Sequence, residues 1–184
     1  MAAEDWRDRQ LLERIVEGDE RALARLYDRH KESLYRYVVH LVDSDGAEDV
    51  LQETLLATWR GAAGFRARSS VRTWMFAIAR NQALLLTRKR LPEPSASLGD
   101  LADAEEPGPE EAVVAMLDAA LVARAVEALR PVHREILHLA CVQGLSGAEM
   151  SEVLGVPVGT VKSRLHNAKR ELAERLSHPS PSKW

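Results

Sequence analysis

The segment that most narrows the folding options of this chain is LSGAEMSEVLGVPVGTVKSRLHNAKRELAERL, Leu145–Leu176. Ser146 and Glu149 have the spacing of a capping box. The hydroxyl takes an orphan amide three residues on, and the carboxylate reaches back to the cap amide. A helix is predicted from there over about Gly147–Leu154, with Met150, Val153 and Leu154 on its apolar face. Gly155 stands where a helix stops with positive φ, and Pro157 where the next begins and a missing N–H costs nothing. Val158, Val161, Leu165, Ala168 and Leu172 then recur at helical spacing, which predicts a second helix with one buried face. The opposite face carries Thr160, Lys162, Ser163, Arg164, His166, Asn167, Lys169 and Arg170. Hydroxyls, an amide and cations are the groups that hold phosphates and read base edges in a major groove. A basic helix alone is most simply a solvated surface. Behind a capping box, a glycine stop and a tight turn, it reads as the recognition helix of a helix-turn-helix, whose early residues reach the bases. Thr160, Lys162, Ser163 and Arg164 are therefore the first candidates for duplex contact, ahead of Lys169 and Arg170.

A net charge of −3 over 184 residues looks unhelpful for a nucleic-acid binder, but the charge is unevenly placed. Residues 54–90 hold 8 bases and no acid, and residues 91–123 hold 8 acids and no base. Residues 124–184 are basic again, with 9 bases and 6 acids, whereas residues 1–53 carry 14 acids against 8 bases. Two positive segments imply two separate nucleic-acid contacts. The single cysteine, Cys141, excludes an internal disulfide framework and fits a reducing compartment. The opening MAAEDWRDRQ has no apolar core for a secretory leader, and no apolar run approaches transmembrane length. A cytoplasmic protein without membrane contact of its own is expected.

Helix formers dominate, with no alternating strand pattern of useful length. A short helix is predicted over Leu11 to about Glu17, stopped by Gly18. Asp19 caps a second helix with Leu23, Leu26, Tyr27, Leu34, Tyr37, Val38 and Leu41 inside, continuing to about Val42. Asp43, Ser44, Asp45 and Gly46 read as a turn before a third helix, Ala47 to about Trp59, in which Val50, Leu51 and Leu55 face inward. A Gly-, Arg- and Ser-rich loop over Gly61–Ser70 precedes a fourth, Val71 to about Arg90, with Trp74, Ile78 and Leu85 inside and Met75 and Phe76 packing. Proline-rich, acidic sequence after Leu91 reads as a linker. Helices over Glu110 to about Leu129 and, after Pro131, Val132 to about Gln143 lead into the helix-turn-helix. The expected fold is all-α: two small helical domains on an acidic flexible tether, with domains over 1–91 and 111–177, the linker over 92–110 and a disordered tail over 178–184.

RALARLYDRHKESLYRYVVHLV, AEDVLQETLLATWR, RTWMFAIARNQALLLTRKR and the helix-turn-helix occur in an order and spacing that resemble the extracytoplasmic function (group IV) sigma factors of bacterial RNA polymerase, from about Arg9 to Leu176. The resemblance implies a region 2-like first domain and a region 4-like second one. It implies that AEDVLQET meets the clamp helices of the largest subunit of core polymerase. Asp49, Gln52 and Glu53 share one helix face there, suited to a partner bearing Arg and Lys. In isolation the same face reads as ordinary solvated acid. The resemblance further implies that the loop Phe65–Arg72 receives an unstacked base of the −10 element. Arg66, Arg68, Ser69, Ser70 and Arg72 supply its polar groups, Arg80 and Asn81 touch DNA just upstream, and Arg88, Lys89 and Arg90 hold phosphates. Trp74 reads as core, with stacking on a base as the alternative. Thr160, Lys162, Ser163, Arg164, Asn167 and Lys169 are the candidates for −35 duplex contact. Implied partners are core polymerase, including the flap of the second-largest subunit, promoter DNA and an anti-sigma factor. The acidic linker reads either as a plain solvated tether or, by resemblance, as a segment threading toward the polymerase active-site cleft.

No glycine-rich phosphate loop, triad spacing or carboxylate pair suggests catalysis, and neither cofactor nor metal is expected. His133, His138 and Cys141 invite a metal reading, but His133 and His138 are five apart and flanked by apolar residues, which favours packing. A stand-alone helix-turn-helix regulator would leave the positive segment of residues 54–90 unexplained. Asn167 departs from the arginine many members of the family carry, and an amide reads adenine better than it holds a phosphate. Asn167→Arg is expected to change the base preferred at the facing −35 position, measured by selection from a randomised duplex. An unchanged preference would remove Asn167 from the reading set.

Overall fold

The computed structural model describes residues 2–90 and 119–177, and all regular structure among them is helical. The helices are α1 (Ala2–Val16), α2 (Glu20–Val38), α3 (Ser44–Gly61), α4 (Val71–Arg90), α5 (Ala119–Glu127), α6 (Pro131–Leu137), α7 (Gly147–Leu154) and α8 (Val158–Ser177). A 3-10 turn over Ala62–Gly64 follows α3, and a π-helical turn over His138–Val142 extends α6. The all-α expectation holds. The chain forms two compact units, one gathering α1–α4 with Ala148–Val156, the other gathering α5, α6 and α8. The linker over 92–110, the beginning of the helix expected from Glu110 and the tail over 178–184 lie outside the described residues.

In the first unit, α1 starts at Ala2, well before the Leu11 expected. Its early turns are held by polar contacts to residues distant in sequence, which local periodicity does not reveal. Asp8 is 2% exposed and accepts hydrogen bonds from Arg29 Nε (2.8 Å) and His30 Nε2 (2.7 Å) of α2. A carboxylate so buried persists only because both oxygens are engaged. The stop at Gly18 is as expected: φ is +88°, and Gly18 and Asp19 donate their N–H groups to the carbonyls of Ile15 and Arg14 at 3.0 Å each. Asp19 then caps α2, accepting from the amides of Arg21 (2.9 Å) and Ala22 (3.1 Å). The Arg14 side chain and the Ala22 amide hold its carboxyl below the usual range.

Helix α2 ends at Val38 rather than near Val42, because His40 and Leu41 bond back to Tyr37 and Val38 in tight turns. Its buried face is Ala22, Leu26, His30, Leu34, Tyr37 and Val38, while Leu23, Tyr27 and Leu41 are only partly covered. The Asp43–Gly46 turn is the cap and first turn of α3: Asp43 Oδ1 accepts from the Gly46 amide at 2.8 Å. Turn and N-cap share the same residue preferences, so the sequence does not separate them. Val50 and Leu51 are buried as expected, with Leu55 partly so.

The bounds of α4 are as predicted, but its inner face is Val71, Met75, Phe76, Ala79 and Ala83. Trp74 and Ile78 lie at the edge of that face, and Leu85 is 48% exposed. The rings of Phe76 and Tyr37 sit 5.3 Å apart at 40°, a tilted arrangement that joins α4 to α2. Phe76→Ala is expected to destabilise the protein by about 3–5 kcal/mol, read from the urea midpoint. A loss below about 1 kcal/mol would mean that the site collapses to fill the cavity.

Candidate functional site

Three surfaces carry the candidate residues. On α3, Asp49, Gln52 and Glu53 are all exposed and share one side of the helix, next to the exposed Glu48. Among the described residues no hydrogen bond or ion pair engages them. The neighbouring Leu56, 39% exposed, adds an apolar contact to this acidic face that the sequence reading did not single out.

The second surface is the loop before α4 and the outer side of that helix. Arg66 and Arg68 are exposed, with Ala67 between them at φ +53°. Ser69 is partly exposed. Ser70 is also partly exposed and has a structural part besides the one expected. Its Oγ accepts from the Thr73 amide (3.1 Å) and lies 2.8 Å from Thr73 Oγ1, so the hydroxyl serves as the N-cap of α4. The Val71 amide donates to Asp5 Oδ1 of α1 at 3.0 Å. Phe65 leans on Trp74 with centroids 5.2 Å apart, and a Cβ on Gly61 would stand 3.2 Å from that indole. Trp74 therefore braces the loop, in keeping with its reading as a packing residue. Arg72 lies with its guanidinium 5.0 Å from the centroid of Phe76, and burial pushes its pKa below the usual arginine range, though an arginine stays charged. Arg80 is partly covered, while Asn81 and Arg88, two turns apart, are exposed along one side of α4.

The third surface is the helix-turn-helix. Helix α7 spans Gly147–Leu154 with Met150, Val153 and Leu154 buried, as expected. Gly155 has φ +67° and donates its amide to Ser151 O at 2.9 Å, and Ser151 Oγ donates to Val156 O at 2.6 Å, closing the turn. Pro157 lies just outside α8, its carbonyl accepting from Val161 N–H at 3.1 Å. Val161 and Ala168 form the buried line of α8, with Leu165 and Leu172 partly covered, but Val158 is 40% exposed and does not extend it.

The candidate residues of α8 do not share one face. At about 100° per residue, Ser163, Asn167 and Arg170 form the outward line, Lys162 and Lys169 flank it on one side, and Thr160 and Arg164 flank it on the other. Lys162, Lys169 and Arg170 are exposed and the others partly so. Arg170, ranked late from the sequence, thus belongs to the centre of the arc, as its spacing from Asn167 already implies.

Within the second unit α8 is fastened to α6 by a polar chain. His133, 3% exposed, has Nδ1 2.6 Å from Glu171 Oε2 and Nε2 2.9 Å from an Arg130 guanidinium nitrogen. Arginine only donates, so Nε2 accepts and Nδ1–H donates to the carboxylate. Glu171 Oε1 also accepts from Arg175 at 2.8 Å. His138 is likewise interior, 3.0 Å from the Gln143 amide nitrogen, and Cys141 is exposed. Among the described residues no group of three or more His, Cys, Asp or Glu is arranged to hold a metal, and no helix is long and apolar enough to cross a membrane.

Known proteins identify the family. Sigma-70 region 2 matches residues 26–91, and Sigma-70, region 4 matches residues 119–172. The ECF RNA polymerase sigma factor SigL of Mycobacterium tuberculosis is 40% identical over 158 residues, 83% of this chain and 88% of SigL. CnrH in complex with the cytosolic domain of CnrY shares the fold at TM-score 0.67 and 24% identity, over 95% of this chain and 99% of that one. RpoE of Bartonella quintana, in complex with the anti-sigma factor NepR, aligns at TM-score 0.59 and 28% identity, over 84% of this chain and 99% of its own. The chain belongs to the sigma-70 family of transcription initiation factors. Within that family it is an RNA polymerase sigma factor of the extracytoplasmic function type.

Burial pushes the Glu171 carboxyl up, but hydrogen bonds from Arg175 and His133 outweigh this and hold its pKa below 4.5. A folded-state pKa below the unfolded value stabilises at higher pH, and the gain is lost as pH falls through the folded value. Glu171→Gln is therefore expected to lower the melting temperature most near neutral pH, the gap closing in acid below pH 4.5. A gap of constant size across that range in thermal melts would mean that shape, not charge, links α6 to α8.

Proposed function

We propose that this sigma factor docks on core RNA polymerase through the acidic face of α3 and uses its two cationic surfaces on promoter DNA. The residues of 1–91 form the region 2-like part. Asp49, Gln52 and Glu53, with Leu56 beside them, meet Arg and Lys of the clamp helices in the largest subunit. Arg66, Arg68, Ser69 and Arg72 receive the unstacked −10 strand, while Arg80, Asn81 and Arg88 follow the DNA upstream. Ser70 enters this reading as the residue that starts α4. The residues of 111–177 form the region 4-like part, which reads the −35 duplex and meets the flap of the second-largest subunit. Ser163, Asn167 and Arg170 face the groove floor, and Thr160, Arg164, Lys162 and Lys169 face its phosphate walls. Opening of the −10 region draws on binding energy, not nucleotide hydrolysis.

The observation that carries the reading is the sorting of charge within one small unit. An exposed acidic face without partners among the described residues stands on α3, and exposed cations stand on the loop and α4. A DNA-binding surface excludes carboxylates, and a surface for basic clamp helices requires them. The structures of CnrH with CnrY and RpoE with NepR support a further partner, an anti-sigma factor that holds this protein off polymerase.

The test is transcription by core polymerase plus this protein on fragmented genomic DNA of its own organism. Discrete new start sites are expected. Asp49→Ala/Glu53→Ala should abolish them and weaken core binding by about 30-fold or more, the scale of about 2 kcal/mol for charged interface groups. Direct DNA binding by the protein alone, without new starts, would instead favour a stand-alone regulator.

A further inference from the structure

We propose that Asp5 is a positioning residue for promoter opening: from α1 it fixes the start of α4, and with it the loop that receives the −10 base. The inference rests on the reading of that loop given above. Region 2 of the family matches from residue 26 onward, so α1 lies outside the matched part.

The first amides of a helix have no acceptor within the helix. At the start of α4 the Thr73 amide is satisfied by Ser70 Oγ, and the Val71 amide by Asp5 Oδ1 at 3.0 Å, across a separation of 66 residues. Val71 is 0% exposed, so no water stands in for that carboxylate. Asp5 is itself held, because its Oδ2 accepts from Arg9 Nε at 2.8 Å one turn along α1. One oxygen is thus fastened to α1 and the other to the first residue of α4, and a negative charge at a helix start is favourable.

The loop between these anchors is only Phe65–Ser70. Its first residue leans on Trp74, and its last is followed by the Asp5-bound amide. Between them Ala67 holds φ +53°, a left-handed conformation unfavourable for any residue with a Cβ. Such a conformation persists where its surroundings over-determine it. Releasing Val71 frees one end of the loop and lets Ala67 relax, so that the backbone carrying Arg66 and Arg68 is no longer held. Asp5 need not touch DNA to have this effect.

The experiment uses full-length protein in holoenzyme, on a promoter recovered by the start-site mapping. Permanganate reactivity of thymines reports opening, and affinity for core polymerase is measured in parallel. Asp5→Ala is expected to reduce opening about tenfold, the effect of losing a hydrogen bond to a charged group, with core binding unchanged. Asp5→Asn retains an oxygen that accepts from Val71 and should stay within about threefold of the natural protein. Opening at the natural level in Asp5→Ala, or Asp5→Asn as defective as Asp5→Ala, overturns the proposal. If Asp5→Ala fails to fold, Arg9→Ala carries the test: it leaves Asp5 in place, and a partial loss of opening with intact core binding supports the proposal while no loss overturns it. Arg66→Ala/Arg68→Ala separates the two readings. No opening defect there removes the loop from −10 contact, whereas a defect there with none in Asp5→Ala removes only the role of Asp5.

Discussion

The packing of Phe76 against Tyr37 is the contact on which the first unit depends. Both side chains are 0% exposed and their rings meet 5.3 Å apart. Once Phe76, Met75 and Ala79 turn α4 inward, the helical repeat leaves Asn81 and Arg88 no choice but the outer side. The same contact sets Arg72, whose guanidinium lies over the Phe76 ring. A buried aromatic pair therefore decides both the stability of the unit and where its cations point. On α3 the burial of Val50 and Leu51 does the corresponding work for Asp49, Gln52 and Glu53.

Charge sorting follows from this, and the net charge of −3 conceals it. Phosphate attraction depends on the local field within a Debye length, about 10 Å at moderate salt, not on the total. The cations of residues 54–90 act on their own surface, and the acids of α3 act on another. Each face therefore attracts charge of one sign and repels the other.

Features resting on local backbone chemistry could be read from the sequence: the stops at Gly18 and Gly155, the Asp19 cap, the start of α6 to within one residue of Val132, and both ends of α4. Features resting on distant partners could not. The early turns of α1 look like solvated charge until Asp8 is seen against Arg29 and His30, and Asp5 against Val71. Asp43–Gly46 reads as a turn yet is the cap and first turn of α3, because a turn and a helix cap use the same residues. Leu85 and Val158 fit an apolar stripe by spacing yet lie exposed, because a stripe extends only as far as the neighbouring element covers it. The candidate site divides the same way: residue types and order were readable, whereas the capping role of Ser70 and the angular spread of α8 needed the fold.

The link between α6 and α8 shows how a helix with a narrow buried face can be held in one orientation. Val161 and Ala168 supply only a narrow apolar line, and Leu165 and Leu172 are partly exposed. A line that thin fixes rotation about the helix axis weakly, since apolar contact has no directional preference. The His133–Glu171 bond does have one, because ring nitrogen and carboxylate must align. It lies near the far end of α8, two turns from Arg164. Rotation is thereby set by a buried polar contact at one end of the helix. Widening the apolar stripe would secure the helix as well, but only by replacing polar residues of its outward arc.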